Sequence, residues 1–272
     1  MSEISHPVAS HHLEVIDKGR STAEHPAPLL FVHGAWHAAW CWDEYFLDFF
    51  ADRGYRALAV SLRGHGNSSA PTPLSSCSVR DYVSDVASVA ASLDTAPVVL
   101  GHSMGGFVVQ KYLESHDAPA GVLLGSAPPK GARSFVVRLF TRYPRLMVKV
   151  TFTGSSLALL NSAGFAKDNF YNAETAEADI ARWVARLGEE SRRISVDSFL
   201  LDRPKPALVT APMLVLGTEP DHCVSGTELR ATARAYRTEP EVFPGMGHNM
   251  MLVPGWATVA ERIDAWLGDH GL

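Results

Sequence analysis

The chain has 272 residues, 46% of them hydrophobic and 19% charged, which is ordinary globular composition and the length of one large α/β domain or two small ones. About three quarters of the unfolded surface can be buried at this size, so neither disulfides nor a structural metal is needed for stability. A net charge of −5 with no block of five or more like charges argues against nucleic acid as the main partner. Cys41, Cys77 and Cys223 are odd in number and far apart, with no C-x-x-C; this suggests neither a disulfide framework nor a zinc knuckle and fits a reducing compartment.

Met1 to Ala9 has no basic n-region and no apolar h-region, so no secretion signal is expected and a cytoplasmic location is the default. The least charged stretches, 95–110 and 150–166, are broken by Gly, Ser, Thr, Asn and His, and no integral membrane span is expected.

Short apolar runs bounded by Pro or Gly alternate with helical stretches, the pattern of a mostly parallel sheet covered on both faces. The predicted strands are Pro28 to Val32, Arg56 to Ser61, Pro97 to Leu100, Gly121 to Leu124, Pro212 to Leu216 and Glu241 to Phe243, with His12 to Ile16 as a weaker opening antiparallel strand. Val79 to Leu93 carries Val79, Val83, Val86, Val89, Ala90 and Leu93 at helical spacing. Thr227 to Ala235 and Trp256 to Leu267 read as core-facing helices in the same way.

Residues 129–206 break this alternation. The stretch is helical, aromatic and rich in arginine, with Phe135, Phe140, Tyr143, Met147, Phe152, Phe165, Phe170, Tyr171, Trp183 and Phe199 in it. It is too long for an ordinary connection, so it reads as a helical cap inserted into a core of residues 1–128 and 207–272. Most of its aromatics, taken singly, belong to the cap's own core.

The strongest local signal is Gly101-His102-Ser103-Met104-Gly105-Gly106, which follows the apolar run Val98-Val99-Leu100 and precedes the helical stretch Phe107 to Glu114. A serine between two glycines at the end of a buried strand can sit on a sharp strand-to-helix turn that pushes its Oγ out of the sheet. The helix N-terminus behind it offers N–H groups to a developing oxyanion. Such turns also bind phosphate, but no Walker lysine and no G-x-G-x-x-G stands here.

A nucleophilic serine needs a base and an acid to orient that base. His248, in Gly245-Met246-Gly247-His248, follows the last predicted strand, and Asp221, in Gly217-Thr218-Glu219-Pro220-Asp221, follows the strand after the insertion. Glu219 is the nearest competitor for the acid and Asp202 a remote one. Of the other histidines near loops, His65 and His222 are rivals, while His33 and His102 sit in turns where a packed, hydrogen-bonded ring is the ordinary role. Two N–H donors must face the oxyanion. Met104 supplies one and Ala35, in His33-Gly34-Ala35-Trp36, the other, with Trp36 a near miss. The pocket-wall candidates are Trp36, His102 and Phe140.

At these residues the sequence resembles the α/β-hydrolase superfamily over nearly its whole length, through His33-Gly34-Ala35-Trp36, Arg63-Gly64-His65-Gly66-Asn67-Ser68, Gly101 to Gly106, Asp221 and Gly247-His248. The resemblance implies an eight-stranded, mostly parallel sheet, a cap after the sixth strand, a Ser-Asp-His triad, and no cofactor or metal. The stretch His33 to Trp42 and the tail Gly247 to Met251 are similar to the plant-type methylesterase and hydroxynitrile lyase group, and to many bacterial hydrolases. Those lyases carry threonine where Gly34 stands and lysine where Asn249 stands. Without that cation a leaving cyanide has no stabiliser, so hydrolysis is the better reading. A haloalkane dehalogenase would need aspartate in place of Ser103.

The expected function is cleavage of a carboxylic ester of a small or medium apolar substrate through an acyl-enzyme on Ser103. Thioester or carbon-carbon hydrolysis by the same triad is one alternative, and a non-catalytic ligand receptor on a hydrolase scaffold is another. Lys130, Arg133, Arg138, Arg142, Arg145 and Lys149 read first as a solvated helix face; the other reading is attraction of an anionic substrate or a membrane surface. The partner expected is a small molecule, with the chain a monomer or homodimer.

Overall fold

A computed structural model describes residues 11–162 and 164–272, without the side chains of 199 and 200. The N-terminal stretch read above for a leader lies outside these residues. Seven strands form one sheet: β1 (Val15–Gly19), β2 (Leu29–Val32), β3 (Arg56–Val60), β4 (Val98–His102), β5 (Gly121–Leu124), β6 (Met213–Glu219) and β7 (Pro240–Pro244). Their order is β1-β3-β2-β4-β5-β6-β7. Only β1 is antiparallel among them, pairing Val15 with Val60 and Gly19 with Arg56.

The eight strands implied by the resemblance are therefore seven among the described residues. The opening strand starts at Val15, three residues later than His12. The hydroxyls of Ser69 and Ser68 take the backbone N–H groups of His12 and Glu14 at 2.9 and 2.8 Å, so this stretch is tied to a loop before the ladder begins. The other strands lie within two residues of their predicted ends, except that β6 runs three residues further, to Glu219.

Twelve α-helices of four or more residues accompany the sheet among the described residues. Four precede the middle of the chain: α1 (Trp40–Asp43), α2 (Phe46–Ala51), α3 (Val79–Ala91) and α4 (Met104–Tyr112). Between β5 and β6 come α5 (Arg133–Arg142), α6 (Pro144–Thr153), α7 (Leu157–Leu160), α8 (Phe165–Phe170), α9 (Glu177–Val184) and α10 (Arg192–Val196); α11 (Gly226–Ala235) and α12 (Trp256–Asp269) complete the chain. None of the described helices is long and apolar enough to cross a membrane.

The strand sequences LLFV and VVLGH are buried at every position, as parallel strands covered on both faces require. Their side chains alternate between two cores. Leu29, Phe31, Leu100 and Leu216 meet α2 and α12 through Phe46, Phe50, Val259 and Ile263. Leu30, Val32, Val99 and Val215 meet α3, α4 and α11 through Val86, Val108 and Leu229. Ser78 opens α3 and Ser225 opens α11, each with a capping box closed by Asp81 or Glu228, so the helix starts are set by local sequence. The carboxyl ends of β2, β4, β6 and β7 consequently open on one edge of the sheet, under the helices that follow β5.

Candidate active site

Ser103 stands between β4 and α4 with φ 51° and ψ −116°, a backbone conformation that costs about 1–3 kcal/mol for a residue with a side chain. The surroundings hold it there. Ser103 N–H donates to the Leu124 carbonyl at 3.0 Å, and its own carbonyl accepts from Ala127 N–H at 3.0 Å, pinning the turn to the end of β5. The flanking glycines are required by contact. A Cβ on Gly101 would lie 2.5 Å from the Gly105 carbonyl oxygen, and one on Gly105 would lie 2.3 Å from the carbonyl oxygens of Val32 and His33. The helix can thus begin against the sheet only where these positions lack side chains.

Three predicted residues come together at this turn. His248 Nε2 lies 3.0 Å from Ser103 Oγ, and His248 Nδ1 lies 2.8 Å from Asp221 Oδ2. The other oxygen of Asp221 accepts N–H bonds from Cys223 at 2.7 Å and Val224 at 3.0 Å, which fixes the plane of the carboxylate. Side chains of His248 and Asp221 are almost wholly buried. Burial works against a charged imidazole, but the adjacent Asp221 carboxylate outweighs it and holds the His248 pKa well above the ordinary histidine value. Glu219, the competitor, is exposed.

Met104 is the first residue of α4, so its N–H has no acceptor within the helix; it borders the same cavity as Ala35 and Ser103. The loop carrying Ala35 is set by histidines. His37 Nδ1–H donates to the Ala35 carbonyl at 2.8 Å while His37 Nε2 accepts from Asn249 Nδ2 at 3.1 Å. Burial lowers the His37 pKa to about 4, so this ring is a neutral strut. His33 likewise bridges Gly34 and Leu62, at 2.8 and 3.0 Å. His102 Nε2–H donates to the His248 carbonyl at 3.0 Å, backing the imidazole loop from behind.

Trp36 is the second strained residue, at φ 67°, and the segment after β5 holds each of its polar groups. Its N–H points to Glu190 Oε2 at 3.4 Å, its carbonyl accepts from Gly188 N–H at 2.9 Å, and its indole N–H donates to Ser156 Oγ at 2.9 Å. Glu190 also accepts from His65 at 3.2 Å and Tyr82 OH at 2.8 Å. Although burial opposes charge on both partners, their attraction raises the His65 pKa and lowers that of Glu190, as in an ion pair. Glu190 was not among the predicted residues. Its sign in the sequence is the pair Glu189-Glu190 within a stretch otherwise rich in arginine.

The cavity over Ser103 has a volume of about 210 Å³ and is walled chiefly by apolar groups, among them Phe135, Leu139, Met147, Leu159, Phe170 and Ile194. Trp36 and His102 border it. Phe140, expected in the wall, does not: it points outward from α5 and is 46% exposed. One residue is about 100° of helical rotation, so the inward position falls to Leu139.

One group of potential metal donors occurs among the described residues, Asp221, Cys223 and His248, whose ligand atoms lie within 4.8 Å of one another. Asp221 and His248 already bond each other, and burial raises the Cys223 pKa, keeping it a thiol. The set suits proton transfer to Ser103 better than coordination, which wants a thiolate and free lone pairs.

Residues 29–262 match the family model described as "Alpha/beta hydrolase family". The chain is 29% identical over 249 residues to the non-heme chloroperoxidase of Burkholderia pyrrocinia, covering 83% of this chain and 86% of that protein. Among solved structures it is similar to an esterase from Exiguobacterium antarcticum, with TM-score 0.75, 22% identity and coverage of 96% and 97%. A thermophilic esterase from Thermogutta terrifontis gives TM-score 0.74, 21% identity and coverage of 96% and 95%.

Proposed function

The chain belongs to the alpha/beta hydrolase family, and from that premise we propose that it is a serine esterase, cleaving a carboxylic ester of a small or medium apolar substrate through an acyl-enzyme on Ser103. The observation that carries this reading is the unbroken row from Asp221 Oδ2 through the His248 ring to Ser103 Oγ, at 2.8 and 3.0 Å. Ser103 Oγ attacks the ester carbonyl as its proton passes to His248 Nε2. The carbonyl oxygen, now an oxyanion, is met by the N–H groups of Ala35 and Met104. Collapse returns the proton from Nε2 to the departing alkoxide, which leaves as the alcohol. Water then gives a proton to the same nitrogen as it adds to the acyl carbon, and collapse breaks the acyl–Oγ bond, Oγ taking the proton back from Nε2 while the carboxylic acid leaves. The helices between β5 and β6 act as a cap whose apolar inner side chains receive the acyl or alcohol group.

The test is hydrolysis of p-nitrophenyl esters from acetate to decanoate by the wild type beside Ser103→Ala, with a short-chain acyl thioester in parallel. Ester turnover lost in the variant supports the reading, and the chain-length optimum measures the cavity. Cleavage of the thioester alone moves the assignment to a thioesterase. A folded protein that cleaves neither moves it to carbon-carbon hydrolysis or ligand reception.

A second reading is favoured by the similarity to a protein named a chloroperoxidase: hydrogen peroxide in place of water would take the acyl group from Ser103 and leave as a peracid. Peracid formation that depends on Ser103 would support it. Cyanohydrin cleavage is disfavoured by Asn249, and position 34 has no room for the threonine of the lyases. A side-chain carbon at position 34 would lie 2.8 Å from His102 Nδ1 and 3.1 Å from Ser103 Cβ.

Glu190 has a positioning role in this scheme, because Trp36 adjoins the Ala35 N–H and is strained. Glu190→Gln is expected to lower kcat roughly tenfold, a fraction of the 10²–10³ attached to losing an oxyanion donor outright, with KM little changed. Glu190→Asp should recover part of it. Loss of thermal stability with kcat intact would make Glu190 a structural residue only.

A further inference from the structure

The outer face of α5 and α6 is a second surface that the reaction does not use. Both helices turn one side to the cavity, through Phe135, Leu139 and Met147. The opposite side therefore faces away from the molecule on both. On α5 it carries Arg133, Val137 and Phe140 at i, i+4 and i+7; on α6 it carries Arg145, Val148, Lys149 and Phe152 at i, i+3, i+4 and i+7. These spacings put each set on one stripe. Val137 is 55% exposed, Val148 52% and Phe152 87%, a concentration of large apolar groups in water that marks an interaction surface.

Its charge names the partner. Residues 118–167 contain seven Lys and Arg and no Asp or Glu, in a chain of net charge −5. Arg138 and Arg142 are paired to Glu228 and Asp168, whereas Arg133, Arg145 and Lys149 are exposed and have no ion pair among the described residues. A helix pair that interleaves free cations with exposed Phe and Val has the composition of an element lying in a lipid headgroup layer. A second copy fits badly, because two-fold pairing sets the same cationic stripe against itself.

We propose that α5 and α6 dock this protein on an anionic lipid surface, Phe152 and Phe140 entering the headgroup boundary while Arg133, Arg145 and Lys149 meet lipid phosphates. Docking in this way turns the helices that roof the cavity toward the membrane. Vesicle binding reads this surface directly and is independent of whether Ser103 acylates.

The experiment is flotation of the full chain with phosphatidylcholine vesicles, with and without about 30% phosphatidylserine, at salt between about 0.1 and 0.5 M. Binding is expected on the anionic vesicles and is expected to fall with salt. Each cation removed should lower the partition coefficient about fivefold, so Arg145→Glu with Lys149→Glu should lower it at least about 25-fold. Phe152→Ser should lower it roughly tenfold through lost apolar burial. None of these residues borders the cavity, so hydrolysis of a soluble ester and the melting curve serve as controls for folding. Absence of binding, equal binding to neutral vesicles, or binding untouched by these variants would overturn the proposal. So would a dimer in sedimentation that Phe152→Ser dissolves, since the face would then be a self-interface.

Discussion

Ser103→Ala is expected to lower kcat for a p-nitrophenyl ester by about 10⁶, and His248→Ala by a similar factor, because nucleophile and base act as one unit. The serine change is close to a pure test of chemistry. It removes a single oxygen, keeps Cβ on a backbone at φ 51°, and leaves the two main-chain bonds that pin the turn to Leu124 and Ala127. Folding should therefore be little affected, and a melting temperature near that of the wild type would accompany the lost activity. Combining the two variants should cost little beyond either alone. A Ser103→Ala enzyme retaining a tenth of the wild-type rate would sink the acyl-enzyme reading. Residual turnover around 10³ above water would still be expected, from the oxyanion donors and binding.

Why so much of this site could be read from the sequence, and why some could not, follows from the range of the forces involved. Gly101 and Gly105 report a close approach made within one strand-turn-helix, so the pentapeptide carries its own structural context. Asp221 follows the buried strand β6 and His248 the partly exposed edge strand β7, and the parallel order of those strands brings the two loops to Ser103. Glu190 has no such signature. Its link to Trp36 spans 154 residues, and it exists only because the segment after β5 folds back over the β2 loop. Phe140 fails for another reason. An aromatic residue in a helix announces apolar surface, while the side it faces depends on neighbours that the periodicity of one short helix does not fix. The opening strand moved because serine hydroxyls of a distant loop engaged the backbone of His12 and Glu14, which a propensity for extended structure does not record.

Asp221→Asn is expected to lower kcat by about 10⁴ through the tautomer of the imidazole rather than through lost contact. The two backbone N–H groups of Cys223 and Val224 demand an acceptor at Oδ1, at 2.7 and 3.0 Å. An asparagine that keeps its oxygen there must turn its NH₂ toward His248 Nδ1. That nitrogen then becomes the acceptor, the proton moves to Nε2, and the atom facing Ser103 can no longer take its proton. The same substitution shifts the pH profile in a definite direction. In the proposed scheme His248 acts as base when neutral, so kcat/KM should fall as pH drops through its pKa. Asp221 holds that pKa well above the ordinary value, which sets the acid limb of the wild type above roughly pH 6.5. With asparagine the Asp221 charge that raises the pKa is gone while burial, which lowers it, remains; the limb of the residual activity should move to lower pH. Glu219→Gln, at an exposed position beyond hydrogen-bond reach of the imidazole, should change kcat by less than about twofold. If Glu219→Gln instead cost as much as Asp221→Asn, or if the acid limb stayed in place when Asp221 was neutralised, the charge acting on His248 would have to come from a carboxylate other than Asp221.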